Sequence, residues 1–173
     1  MKSKLLTLAM LLVAGAVIWV FAMPTYRQGE PSVAGEKAPD FALQLGGRDM
    51  HLSDLRGQVV VLNFWASWCL PCVEETPSLN RLQQMISSQG GTVLGVSVDQ
   101  DIHAYAKFLQ DQDVTFPTFD DTTMKIPGFY GTKMYPETYI IGRDGRIARK
   151  IVGQQDWQDP HFTESLEALL REK

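Results

Sequence analysis

Residues 63–82 read NFWASWCLPCVEETPSLNRL and hold both cysteines of the chain, Cys69 and Cys72. The run that leads into them, QVVVLNFW (58–65), is almost continuously β-branched and aromatic, as in a strand covered on both faces. Beyond them Leu79, Leu82 and Ile86 fall at i, i+3 and i+7, the apolar stripe of a helix expected over about Cys69–Ser88. The pair therefore stands where a buried strand turns into a helix. Two cysteines at this spacing serve as half a zinc site, as a static staple, or as a redox couple.

A zinc site needs four ligands. The chain offers two thiols and His51, His103 and His161, none at ligand spacing, so no metal is expected. A staple across two residues closes a loop too short to remove much unfolded-state entropy. The redox reading uses the position itself: amides and the macrodipole at a helix N-terminus stabilise a thiolate on Cys69, the sulfur expected to be more exposed. Pro71 fits the first turn, where its missing N–H does no harm. Cys72 lies one turn further in, can pair with Cys69, and is expected to be the resolving thiol. The chemistry is attack by Cys69 thiolate on a partner disulfide, then displacement of the mixed disulfide by Cys72.

Outward from this stretch, FALQL, a Gly46-Gly47 turn and DMHL read as an N-terminal hairpin, with Ser53 capping a short helical turn DLRG. TVLGVSV is a second buried strand, DIHAYAKFLQDQ an amphipathic helix and FPTF a short strand. PETYIIG, the RDGR turn and IARKIVG form an antiparallel hairpin, and PHFTESLEALLREK closes the chain as a helix. Strand–helix alternation followed by a hairpin predicts an α/β fold with a mixed central β-sheet and helices on both faces.

At the other end, Lys2 and Lys4 precede an uncharged apolar run from Leu5 to Met23. As a helix it is about 29 Å long, close to a bilayer's hydrocarbon thickness. The run is expected to be a signal-anchor over residues 1–23, with residues 24–35 as a Pro- and Gly-rich tether and 36–173 as the folded domain. The Ala14–Ala16 stretch has the small residues of a cleavage site, but cutting there would leave VIWVFAM as a new apolar N-terminus. Either way the domain is expected on the periplasmic or equivalent extracytoplasmic side of the inner (cytoplasmic) membrane, where disulfides are permitted. The net charge of −4, with no basic stripe among 16 Lys and Arg, excludes nucleic acid as a partner. A monomer is expected, since nothing resembles a dimerisation arm.

NFWASWCLPC, Pro77 in the following helix and YPETYII before the hairpin resemble thioredoxin, and specifically the membrane-anchored TlpA/ResA/CcmG (DsbE) group of the redoxin/AhpC-TSA-like superfamily; EKAPDFALQL and LSDLRGQVVVLNFW resemble that group's opening. The resemblance spans residues 36–155 and implies a thioredoxin-like fold. It implies a thiol:disulfide oxidoreductase that reduces specific protein disulfides, with apocytochrome c or copper-site assembly proteins as substrates, a CcdA/DsbD-type membrane electron donor, and no diffusible cofactor. It also implies a cis proline at Pro136 that offers backbone to an extended substrate, with Trp68 and Tyr135 shaping the same surface.

Thioredoxin carries a buried aspartate six residues before its first cysteine. Here that position is Asn63, which takes no proton. In the ResA-like group a glutamate three residues after the second cysteine stands beside the site, and Glu75 holds that place, one turn from Cys72. Partial burial would raise its pKa toward a range useful for proton exchange. Its neighbour Glu74 reads as an ordinary first-turn acid. Glu137 is expected either to select partners or to be a solvated loop charge; Trp65 and Trp157 read as core, Asn63 as a buried hydrogen-bonded residue, the methionines as core or anchor, and the histidines as surface or capping residues.

Three rival functions fit the sequence less well. A disulfide-forming oxidase fits less well because Leu70-Pro71 resembles the reducing type of dipeptide. A thiol peroxidase needs a Thr or Ser hydroxyl one turn before its cysteine and no CxxC partner. A Sco-like copper-binding module separates its cysteines by three residues, not two.

Overall fold

The strand β3 (Val59–Trp65) is buried along its whole length. The computed structural model of the chain describes residues 33–172; the anchor expected over residues 1–23 lies outside them, and among the described residues no helix is long and apolar enough to cross a membrane. A five-stranded sheet is built outward from β3 in the order β5 (Thr118–Asp120), β4 (Gly91–Ser97), β3, β6 (Glu137–Ile141), β7 (Ile147–Val152). β3, β4 and β5 run parallel, whereas β6 and β7 are antiparallel to their neighbours. A separate hairpin, β1 (Ala42–Leu45) and β2 (Arg48–His51), precedes it. The helices are α1 (Leu70–Ser87), α2 (Ile102–Asp111), α3 (Lys125–Tyr130) and α4 (Pro160–Arg171).

Alternation along β3 explains why it needs cover on both sides. Val59 and Val61 pack with Leu79, Leu82 and Ile86 of α1 and with Leu166 and Leu170 of α4. Phe64, on the opposite face, meets Tyr130 at the end of α3 and Tyr139 of β6, with ring centroids 5.4 and 5.9 Å away. This is the expected thioredoxin-like α/β arrangement with a mixed central sheet.

Two elements differ from the sequence reading. α3 was not expected: KIPGFY contains Pro127 and Gly128, both poor helix residues, and the element is held by Asp121, whose carboxylate accepts from the Ile126 N–H at 2.8 Å. Ser53 does not cap the turn after β2. It lies inside a 3-10 turn, Leu52–Leu55, whose start is closed by Asp54 accepting from the His51 N–H, while the Ser53 hydroxyl donates to Asp40.

The sheet also depends on one close approach. A Cβ on Gly95 of β4 would lie 2.6 Å from Thr118 Oγ1 and 2.9 Å from Trp65 Nε1. Glycine there lets the Trp65 indole N–H reach the Thr118 hydroxyl at 3.3 Å.

At the end of the sheet where β3 begins, the entering chain is stitched to β7. The Gly35 N–H donates to Ile147 O and the Ile147 N–H to Glu36 O, at 2.7 and 2.8 Å, and Arg146 Nη1 donates to Gly35 O. Nearby, the guanidinium of Arg143 donates to the carbonyls of Gly57, Gly90, Gln89 and Leu170, so one side chain closes the starts of β3 and β4 and the last turn of α4. Its charge also suits the negative pole at that helix end. R143M removes these hydrogen bonds, of which the one to Leu170 O is partly buried and those to Gly57 O and Gln89 O can be replaced by water, so urea unfolding should show a loss of about 1–2 kcal/mol with the redox couple intact in the folded fraction.

Candidate active site

β3 ends at Trp65 and the chain turns through Ala66, Ser67 and Trp68 into α1. The turn closes with the Cys69 N–H on Ala66 O at 3.2 Å. Cys69 is the N-cap of α1: its backbone is extended, and its Sγ accepts from the Cys72 N–H at 3.3 Å. A cap residue must accept from the first-turn amides, and here a sulfur fills that role. Cys69 and Cys72 form a disulfide, S–S 2.13 Å and Cα–Cα 5.2 Å. Cys69 is 5% exposed and Cys72 2%, so Cys69 is the less buried of the two. Beneath them lie Trp65, Ala66, Val98 and Phe108, with Trp65 stacked on Phe108 at 4.3 Å.

Large apolar side chains are exposed on either side of Cys69 in the chain and next to Tyr135. Trp68, Leu70 and Met134 are 68%, 66% and 62% exposed. Trp68 meets Tyr135 edge to face at 5.9 Å, which joins the cysteine turn to the loop before β6. The Tyr135–Pro136 peptide bond is cis, and Pro136 is buried. Met134 and Met124 are exposed, contrary to the core assignment of the methionines.

Glu75 lies three residues beyond Cys72 and is 1% exposed, deeper than the partial burial expected. Its Oε1 accepts from the Trp157 indole N–H, and Oε2 has no hydrogen-bond partner among the described residues. Burial pushes its carboxyl up to about 8, and the Trp157 hydrogen bond only partly offsets that rise. Trp157 is part of the core, as read from sequence, but its contact with Glu75 was not foreseen. It is placed by α1 itself: the Ser78 hydroxyl donates to Glu75 O, and the Trp157 N–H donates back to Ser78 Oγ. Asn63 is buried and donates to Thr138 Oγ1 at 2.9 Å, leaving no acid on β3 near the pair.

Glu137 is not the solvated loop charge of one sequence reading. It is buried, and its Oε1 receives Lys150 Nζ at 2.9 Å, the Thr132 hydroxyl at 2.7 Å and the Tyr139 hydroxyl. Burial alone would lower the Lys150 ammonium, but hydrogen bonds and charge from Tyr139 and Glu137 outweigh it and hold it above its ordinary value. The network ties the loop bearing Pro136 to β6 and β7. Removing the cation alone leaves a buried carboxylate uncompensated, so K150M should destabilise by about 3 kcal/mol in urea unfolding; the K150M/E137Q pair should recover most of that loss.

Among the described residues no group of three or more His, Cys, Asp and Glu side chains is placed to hold a metal ion.

The chemistry the site can perform is thiol–disulfide exchange at Cys69 with a buried acid behind Cys72, and the likenesses to known proteins agree. Residues 34–150 match the AhpC/TSA family. The chain is 32% identical over 157 residues to thiol-disulfide oxidoreductase ResA of Bacillus cereus, covering 89% of this chain and 91% of that one. It is 35% identical over 153 residues to ResA of Geobacillus kaustophilus, covering 87% and 88%. A crystal structure from Chlorobium tepidum, described as a thiol:disulfide interchange protein DsbE, superposes with a TM-score of 0.74 at 34% identity, over 79% of this chain and 97% of that one. With its disulfide at the head of α1, the chain thus belongs to the AhpC/TSA family and, within it, is a thiol–disulfide oxidoreductase related to ResA.

Proposed function

We propose that the protein reduces specific disulfides in partner proteins on the extracytoplasmic side of the inner membrane, tethered through its N-terminal apolar run. The observation that carries the mechanism is the buried Glu75 carboxyl one helical turn from Cys72. With Asn63 unable to exchange a proton, Glu75 is the group on this face of α1 that can.

In the reductive half, the Cys69 thiolate attacks one sulfur of the partner disulfide, and the partner's other sulfur leaves as a thiolate. Cys72 gives its proton to the Glu75 carboxylate and attacks Cys69 Sγ. The second partner sulfur then leaves, the Cys69–Cys72 disulfide forms, and two electrons have passed to the partner. In the return half a donor thiolate attacks Cys69 and Cys72 leaves, taking the proton from Glu75; the donor's second thiol then displaces Cys69 as a thiolate and the donor departs as its own disulfide. A carboxyl that stays protonated up to about 8 in the disulfide form holds that proton ready at neutral pH. The apolar rim of Trp68, Leu70 and Met134 fits a cysteine flanked by apolar residues, and the backbone at Tyr135 and Pro136 fits an extended segment. Apocytochrome c or copper-site assembly proteins as substrates, and a CcdA/DsbD-type membrane thiol carrier as donor, fit that role.

Direction and partners are tested together on the full-length protein. Equilibration with glutathione should place the couple well below the value of about −120 mV typical of a strong oxidant. Mixed disulfides captured by C72S should contain cytochrome precursors or copper-assembly proteins. A potential at the oxidant end would reverse the assignment, and capture of neither class would remove those substrates.

Glu75 also makes stability depend on pH with a definite sign. Its carboxyl is raised from 4.5 to about 8 on folding. Between these values the folded chain holds a proton that the unfolded chain releases, so stability falls as pH rises from about 4.5 to about 8. E75Q should flatten that window and match or exceed the wild type in stability at pH 8. It should also slow turnover at least about tenfold and remove Glu75's contribution to the pH–rate profile. An unchanged profile would exclude Glu75 from proton transfer.

A further inference from the structure

The turn that presents Cys69 is fastened from the neighbouring strand. Asp99, two residues past the end of β4, accepts the Ser67 N–H at 3.0 and 3.2 Å on its two oxygens and the Ser67 hydroxyl at 2.7 Å. Its Oδ2 also accepts the Ser97 hydroxyl at 2.9 Å. Every one of these groups donates to Asp99, the arrangement a carboxylate requires. Asp99 is 2% exposed, and Val98 beside it packs in the cluster that holds Cys69 and Cys72.

No cation offsets it. Among the described residues no Lys, Arg or His lies within ion-pair distance of Asp99 or of its acidic neighbours Asp120 and Asp121. Asp121 accepts from the Thr123 hydroxyl and the Ile126 N–H, whereas among the described residues neither carboxylate oxygen of Asp120 has a hydrogen-bond partner in good geometry, and burial pushes that carboxyl up. Other titratable groups packed near the pair are Tyr105 of α2 and Tyr135 before Pro136, both pushed up by burial, and Glu75 of α1, neutral below about 8.

We propose that Asp99 is a positioning residue for the redox couple: through Ser67 it fixes the turn before Cys69 and sets a negative charge against the N-terminus of α1. The helix end favours a Cys69 thiolate, and the Asp99 charge opposes it. A couple whose outer thiolate is less favoured is the more reducing. The inference concerns the couple itself, so it does not depend on the partner or on the physiological direction of electron flow.

The test follows the reaction in which protein disulfide and dithiothreitol give protein dithiol and oxidised dithiothreitol, on the full-length protein at pH 7 and pH 9.5, with the pH dependence of Cys69 alkylation measured alongside. D99N should raise the equilibrium constant at least about threefold at pH 9.5, and by less at pH 7, where a smaller fraction of the thiol is ionised. The alkylation midpoint should move down by at least about 0.5 pH. S67A keeps the charge, so its equilibrium and midpoint should stay near wild type while its Tm falls. If D99N is less stable but keeps the wild-type equilibrium and midpoint, Asp99 is structural only and the proposal fails. If D99N does not fold, D99S decides, because it removes the same charge and keeps a hydroxyl facing Ser67: a lower midpoint supports the proposal, and an unmoved one overturns it.

Discussion

β3 is covered on both faces, so the chain that leaves its end must pass from a dry interior to the surface within a few residues and start a helix there. The first amides of any helix lack intrahelical acceptors, and here the Cys69 sulfur accepts one of them. Strand burial, capping and redox chemistry therefore meet in one short turn. The cluster under the cysteines, the stacked Trp65 and Phe108, and the glycine at position 95 that admits the Trp65 indole all hold that turn against the sheet.

Buried acids near the site are handled in three ways. Glu137 is matched by a cation and two hydroxyls, so it acts as a fastening for the loop of Pro136. Asp99 is matched by hydrogen-bond donors without a cation, which leaves its charge uncompensated. Glu75 has one donor and one bare oxygen, which leaves the neutral form favoured. The same functional group thus serves as a lock, as a field and as a proton store, according to what surrounds it.

Much of this was legible in the sequence because it is local. The β-branched run before Cys69, the apolar stripe after it and the turn residues around Gly46 and Gly145 each act over a few positions. The family likeness located Glu75 and the cis bond at Pro136, and spacing placed Glu75 one turn from Cys72. What was not legible depends on residues distant in the chain. Trp157 reaches Glu75 across 82 positions, Lys150 reaches Glu137 across two antiparallel strands, and Asp99 reaches Ser67 from the neighbouring strand. Glu137 looked like a loop charge because nothing nearby in sequence announces its cation. α3 was missed because its own composition argues against a helix and a tertiary hydrogen bond from Asp121 sustains it.

The stitching of Gly35 and Glu36 to Ile147 has a mechanical side. Register places Phe64, Glu137 and Val152 at the cysteine end of the sheet and Val60, Ile141 and Ile147 at the other, about 13 Å away along the strands. A pull on the backbone at Gly35 therefore enters at the far end from the disulfide. It reaches first the two backbone hydrogen bonds to Ile147, while the cysteine turn lies at the opposite end of the strands.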